Sequence, residues 1–105
     1  MYREGLPFLK ARATMTETSS GGRRHGVFSG YRAGWSIPTE NGGRTYADGP
    51  IELLDADVLP PGATGVIRIY PLVPERWTDV TVGSELDMRE GARVVGTAVV
   101  TGVFL

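Results

Sequence analysis

Cysteine is absent from this sequence of 105 residues. That excludes disulfides, thiolate nucleophiles and Cys-based zinc sites, and it is compatible with a reducing compartment. Charge imbalance is absent too. Eleven Lys and Arg face twelve Asp and Glu, for a formal net charge of −1. Nothing global therefore pulls the chain toward nucleic acid or a membrane, and any electrostatic binding must come from a local patch. No apolar run approaches the roughly 18 residues of a membrane helix. The opening MYREGLPFLK carries Glu4 and Pro7 and no apolar stretch of signal-peptide length, so the expected compartment is the cytoplasm. Phosphate-loop spacing GxxxxGK[ST] is missing, which argues against a nucleotide as cofactor or substrate.

What is abundant is glycine, with fifteen, beside seven prolines. Both disfavour helix interiors and mark turns. One domain spanning residues 1–105 is expected, with about two-thirds of its unfolded surface buried.

Period-two alternation sets the strands. In FLKARATMT, Leu9, Ala11, Ala13 and Met15 fall on one face, and Lys10, Arg12, Thr14 and Thr16 on the other. Further strands are expected over 27–37 (bent at its glycines), 51–54, 65–70, 84–89 and 92–104. The intervening PTENGGRTYADGP, DADVLPPGATG and 71–82 read as connections. The last strand is nearly wholly apolar and is expected to be covered on both faces. Helix is expected to be nearly absent. Six or seven short strands point to an all-β fold, a small antiparallel barrel or sandwich.

Chemistry concentrates in GGRRHGVFSGYR, residues 21–32, where Arg23, Arg24, His25 and Arg32 lie among four glycines and two aromatics. Two readings stand open: a loop for a phosphate backbone, or a turn whose charges are solvated. Arginine forks match phosphate geometry, with Tyr31 or Trp35 near enough in sequence to pack beside them, and Arg44 joins the set. His25 is the only histidine. It has neither the further ligands a metal needs nor a nucleophile with an orienting acid. Asp55 and Asp57 lack EF-hand spacing and read as turn residues. No catalytic constellation appears, so a non-catalytic role is expected, without metal or cofactor.

Three landmarks occur in order: GGRRHGVFSGYR, the Pro61-Gly62 pair after a hydrophobic strand, and MREGARVVGTAVV from Met88 to Val100. Together they resemble the C-terminal β-barrel domain, the third domain, of translation elongation factor Tu, over about Leu9 to Leu105. Its members carry GGRHT-x-FF-x-GYRPQF and an IREGGRTVGAGVV-like end. The resemblance implies a closed antiparallel barrel standing without its GTPase domain. It further implies contact with the T-stem of aminoacyl-tRNA or with translation proteins. Residue by residue, the implied contacts fall on Arg23, Arg24, Arg89, Glu90 and Gly91, with Arg32 inside GYR. Two positions depart. The family's glutamine in GYRPQF is Gly34 here, and a basic residue is replaced by Tyr70. The connection from Pro71 to Arg89 is longer than in the family and brings WTDV. Trp77 in that insertion is expected to be exposed and to mark self-association or a protein contact. The alternative role is a regulatory or immunity-type partner that reuses the barrel outside translation.

Overall fold

The computed structural model describes residues 5–105. Each alternating segment forms a strand. They are β1 (Phe8–Met15), β2 (Arg32–Pro38), β3 (Arg44–Leu53), β4 (Thr64–Ile69), β5 (Glu85–Glu90) and β6 (Arg93–Phe104). All register pairs are antiparallel, and the strands close in the order β1-β4-β3-β2-β5-β6 into a six-stranded barrel. Among the described residues helix is limited to two 3-10 turns, Thr18–Ser20 and Pro74–Trp77. Among the described residues no helix is long and apolar enough to cross a membrane.

Closure explains the alternation. Leu9, Ala11, Ala13 and Met15 point inward and are buried, while Lys10, Arg12 and Thr14 point out. The interior is filled by side chains rather than left as a pore, with Trp35, Ile37, Ile67, Ile69, Leu86, Met88 and Val95 fully covered. Gly49 makes that filling possible. A β-carbon there would lie 2.7 Å from Ile69 Cγ2 and 3.3 Å from the Trp77 ring. Its carbonyl accepts the Trp35 indole N–H at 2.9 Å.

Four sequence expectations are corrected. The strand expected over 27–37 divides. Val27 makes a single bridge to Leu59. The chain then turns, with Tyr31 N donating to Phe28 O at 3.1 Å and Gly30 at φ 94°, before β2 begins. The connection PTENGGRTYADGP is a connection only at its start, since β3 begins at Arg44. Its Asp, Gly and Pro content hides a strand that pairs with β2 from Arg44 to Pro50 and with β4 from Ile51 to Leu53. Pro50 sits where β3 changes partner, a place where a missing N–H is tolerated.

The third correction concerns β6, which is covered on one face only. A closed single-layer barrel has one interior, so Val94 and Val99 remain 39% and 46% exposed despite their hydrophobicity. The strand bends around the barrel through two register shifts, one against Met88/Arg89 and one against Lys10/Ala11. The fourth concerns Trp77, which is fully buried rather than exposed. The 3-10 turn Pro74–Trp77 folds its ring back under Gly49, into the barrel core. Its indole N–H has no hydrogen-bond partner among the described residues.

Candidate binding face at the GGRRH loop and the terminal hairpin

The loop carrying Arg23 is held by its own backbone. Gly21 N and Gly22 N donate to Thr18 O and Glu17 O at 3.1 and 2.9 Å, and Thr18 Oγ1 donates to Arg23 O at 2.6 Å. From the other end of the sequence, β5 and β6 meet in a two-residue turn between Glu90 and Arg93. Gly91 takes φ 61° there while Ala92 does not go positive, the pattern of a type II′ turn with glycine first.

These two segments meet through Glu90. Arg23 Nη1 donates to Glu90 Oε2, and the Tyr31 hydroxyl donates to the same oxygen at 2.5 Å. Arg23 Nη1 also lies 3.2 Å from the Tyr31 hydroxyl, and its guanidinium stands 4.8 Å from the Tyr31 ring centroid. Arg93 Nη2 reaches the second carboxylate oxygen at 3.2 Å. Arg23 Nε caps the carbonyl of His25 at 3.2 Å.

Protonation follows from this geometry. The hydrogen bond from Tyr31 holds the Glu90 carboxyl below its ordinary value, against the opposing effect of burial and with Arg23 and Arg93 assisting. Burial, then the hydrogen bond to Glu90, pushes the Tyr31 hydroxyl up to about 12. Burial works to lower the Arg23 guanidinium, but Glu90 and Tyr31 together carry it upward.

The residues named from sequence thus divide. Arg23, Glu90 and Gly91 are brought together as a joint. Arg89 lies beside it, with Nη2 donating to Ala92 O across the turn at 3.0 Å and Nε buried without a partner. Arg24 and Arg32 are exposed, and their side chains make no hydrogen bond or ion pair with another described residue. Arg44 is committed elsewhere. It donates to Ser36 Oγ and Ser36 O, both at 2.8 Å, and to Glu85 O at 2.7 Å. That staples the β2–β5 seam, which pairs only from Gly34 to Ser36. Trp77 is not part of the face.

Gly34 lies in register between Asp48 and Arg89, and the Tyr46 side chain is laid across it. A β-carbon at Gly34 would collide with the Tyr46 hydroxyl. A glutamine here, as in the resembled family, would displace Tyr46. At the other departing position, the Tyr70 hydroxyl donates to Glu52 Oε1 at 2.7 Å.

Sequence reading missed Arg93 and the linking role of Tyr31. The (i, i+3) spacing of Glu90 and Arg93 across a Gly-containing turn was an available signal for the first. Asp55, weighed as a calcium ligand, accepts from Val66 N at 3.2 Å instead. Among the described residues no group of three or more His, Cys, Asp or Glu is placed to hold a metal ion. No family model and no curated protein matches the chain.

Proposed function

We propose that this barrel is a non-catalytic binding module resembling the third domain of elongation factor Tu. Its contact face is the joint between the GGRRH loop and the REG hairpin. The observation that carries this reading is the shared Glu90 carboxylate. Two of the three segments that bear the resemblance, 67 residues apart at Arg23 and Glu90, are joined by a hydrogen bond. An accidental likeness in two separate motifs gives no reason for them to be hydrogen-bonded to each other.

A protein of the translation apparatus fits this face better than tRNA. Phosphate recognition needs cations free to pair. Here Arg23 and Arg93 are engaged by Glu90, which adds a negative charge to the face. Of the candidate arginines, only Arg24 and Arg32 have side chains without a partner among the described residues. Between them in sequence Phe28 is 62% exposed, and the bridge of Val27 to Leu59 brings the exposed Val58 next to Gly26 in the same loop. An exposed aromatic in a segment that also carries free arginines is a composition enriched at protein contacts.

Two measurements test the reading. Titration with tRNA at about 50 mM salt, where phosphate contacts are strongest, should give weak binding or none. If tRNA does bind, the log–log salt slope should flatten by up to about two units in an Arg24→Ala/Arg32→Ala variant. Capture from nuclease-treated lysate should retain translation proteins in the wild type and lose them in Phe28→Ala. Retention of a single partner unrelated to translation would support the regulatory role instead.

A further inference from the structure

Most cations of the described residues are engaged. Arg23 and Arg93 pair with Glu90, Arg44 and Arg89 bond carbonyls, and Arg76 reaches Thr45 Oγ1 at 3.2 Å. Arg68 lies with its guanidinium 4.4 Å from the Phe8 ring centroid. Lys10 and Arg12 are different. Both are exposed, and neither side chain makes a hydrogen bond or ion pair with another described residue. They stand two apart on the outer face of β1, about 7 Å between their Cα atoms. Their register neighbours are Arg68 and Gly102 for Lys10, and Val66 and Val99 for Arg12. No carboxylate lies among them.

Between these two side chains β6 gains a residue. Lys10 pairs with Gly102 and Ala11 with Val100, which leaves Thr101 out of register. Such a bulge bends the strand and re-aims a side chain. A cavity of about 220 Å³ opens at this point, lined by Lys10, Ala11, Arg12, Val66 and Thr101. Two cations without a partner among the described residues and one hydroxyl therefore surround a concavity that Ala11 and Val66 complete.

We propose that this cleft binds a phosphate group. Arg12 presents a planar fork that takes two phosphate oxygens, Lys10 supplies a mobile point charge, and the Thr101 hydroxyl donates to a third oxygen. The cleft lies on the β4–β1–β6 face and is independent of the GGRRH–REG face.

The test is an amide-shift titration of the whole chain with inorganic phosphate, against sodium chloride at matched ionic strength. Saturable shifts at Ala11, Arg12, Val66 and Thr101 are expected, with a dissociation constant on the order of 1 mM. A Lys10→Ala/Arg12→Ala variant should keep the wild-type melting temperature, since both side chains are exposed, and bind at least about tenfold more weakly. Thr101→Val should weaken binding less. Methyl phosphate serves as the second probe. Tighter binding of the ester identifies a phosphorylated ligand, and tighter binding of inorganic phosphate identifies the free ion. Shifts that grow linearly, that chloride reproduces, or that survive in the double variant overturn the proposal.

Discussion

Replacing Glu90 by alanine should separate the loop from the hairpin. In the folded chain its carboxylate accepts from Arg23, Tyr31 and Arg93. The Arg23 and Glu90 side chains are 24% and 31% exposed. An exposed ion pair contributes about 0–1 kcal/mol, whereas hydrogen bonds to a charged group are worth about 1.5–3 kcal/mol each. The Arg23 pair lies between those limits, at about 0–1.5 kcal/mol, and the Tyr31 hydrogen bond to the carboxylate adds about 1.5 kcal/mol. Arg93, at 56% exposed, adds little. Glu90→Ala should therefore cost about 1.5–3 kcal/mol. At about 2.1 cal/mol/K of unfolding entropy per residue, a chain of this size loses about 4–5 °C of melting temperature per kcal/mol. The expected drop is about 7–14 °C. Glu90→Gln keeps an acceptor for the Tyr31 hydroxyl and should lose about half as much.

The charge accounts for the difference between Glu90 and Gln, so that difference must depend on pH. The folded Glu90 carboxyl titrates below its ordinary value of 4.5. The unfolded chain then takes up the proton first as pH falls. The advantage of wild type over Glu90→Gln is fully present above about pH 5 and disappears as pH falls through the depressed folded value. Thermal melts of both proteins from pH 7 down to pH 3 measure it. A gap that stays constant with pH, or an Ala variant within about 0.5 kcal/mol of wild type, would refute the claim that this joint holds the face together.

At the alkaline end the Tyr31 hydroxyl reverses the sign. Its folded value of about 12 lies above the ordinary 10, so its stabilisation is complete below pH 10 and is lost as pH rises toward 12. Stability measured by urea should fall more steeply over that window in wild type than in Tyr31→Phe. Trp77→Ala should cost about 3–5 kcal/mol, as expected for a buried aromatic. Trp77→Phe should cost much less, because it removes an indole N–H that has no partner, and denaturant melts compare the two. Gly34→Ala should push Tyr46 off the sheet at a cost of about 0.5–1.5 kcal/mol. In Gly34→Ala/Tyr46→Ala that cost should be largely absent relative to Tyr46→Ala alone, a coupling read by a double-mutant cycle.

The strands most legible in the sequence were those whose alternation the barrel wall preserves. FLKARATM reads inward and outward without interruption, and β4 and β5 follow to within a residue or two. β3 was hidden because its middle holds Asp48, Gly49 and Pro50, the last two for local reasons. Gly49 makes room for two tryptophans, and Pro50 lies where the strand changes neighbour. Turn composition there reflects packing and not a turn. Trp77 was misread for a related reason. Its neighbours Glu75, Arg76 and Asp79 are exposed and gave the segment a polar look. A 3-10 turn needs only one inward side chain, so the one apolar ring was the informative residue.

The arginines show where sequence reading reaches its physical limit. A closed single-layer barrel sends about half of every strand outward, and each outward charge is then decided by its cross-strand neighbours. Those neighbours are distant in sequence. Arg23 and Arg24 are adjacent and chemically identical, yet one is tied to Glu90 and the other is free. Arg44 looked like a phosphate ligand and is instead the staple of the β2–β5 seam. Lys10 and Arg12 looked like the solvated side of an amphipathic strand, and spacing alone offers no reason to think otherwise. Their distinction comes from a bulge that the partner strand β6 contributes and from the absence of any acid in register with them. Local cation density in GGRRH therefore pointed to a segment in which one arginine, Arg23, is tied to Glu90. The charges beside a cavity, without a partner among the described residues, lie on a strand whose sequence appeared unremarkably alternating.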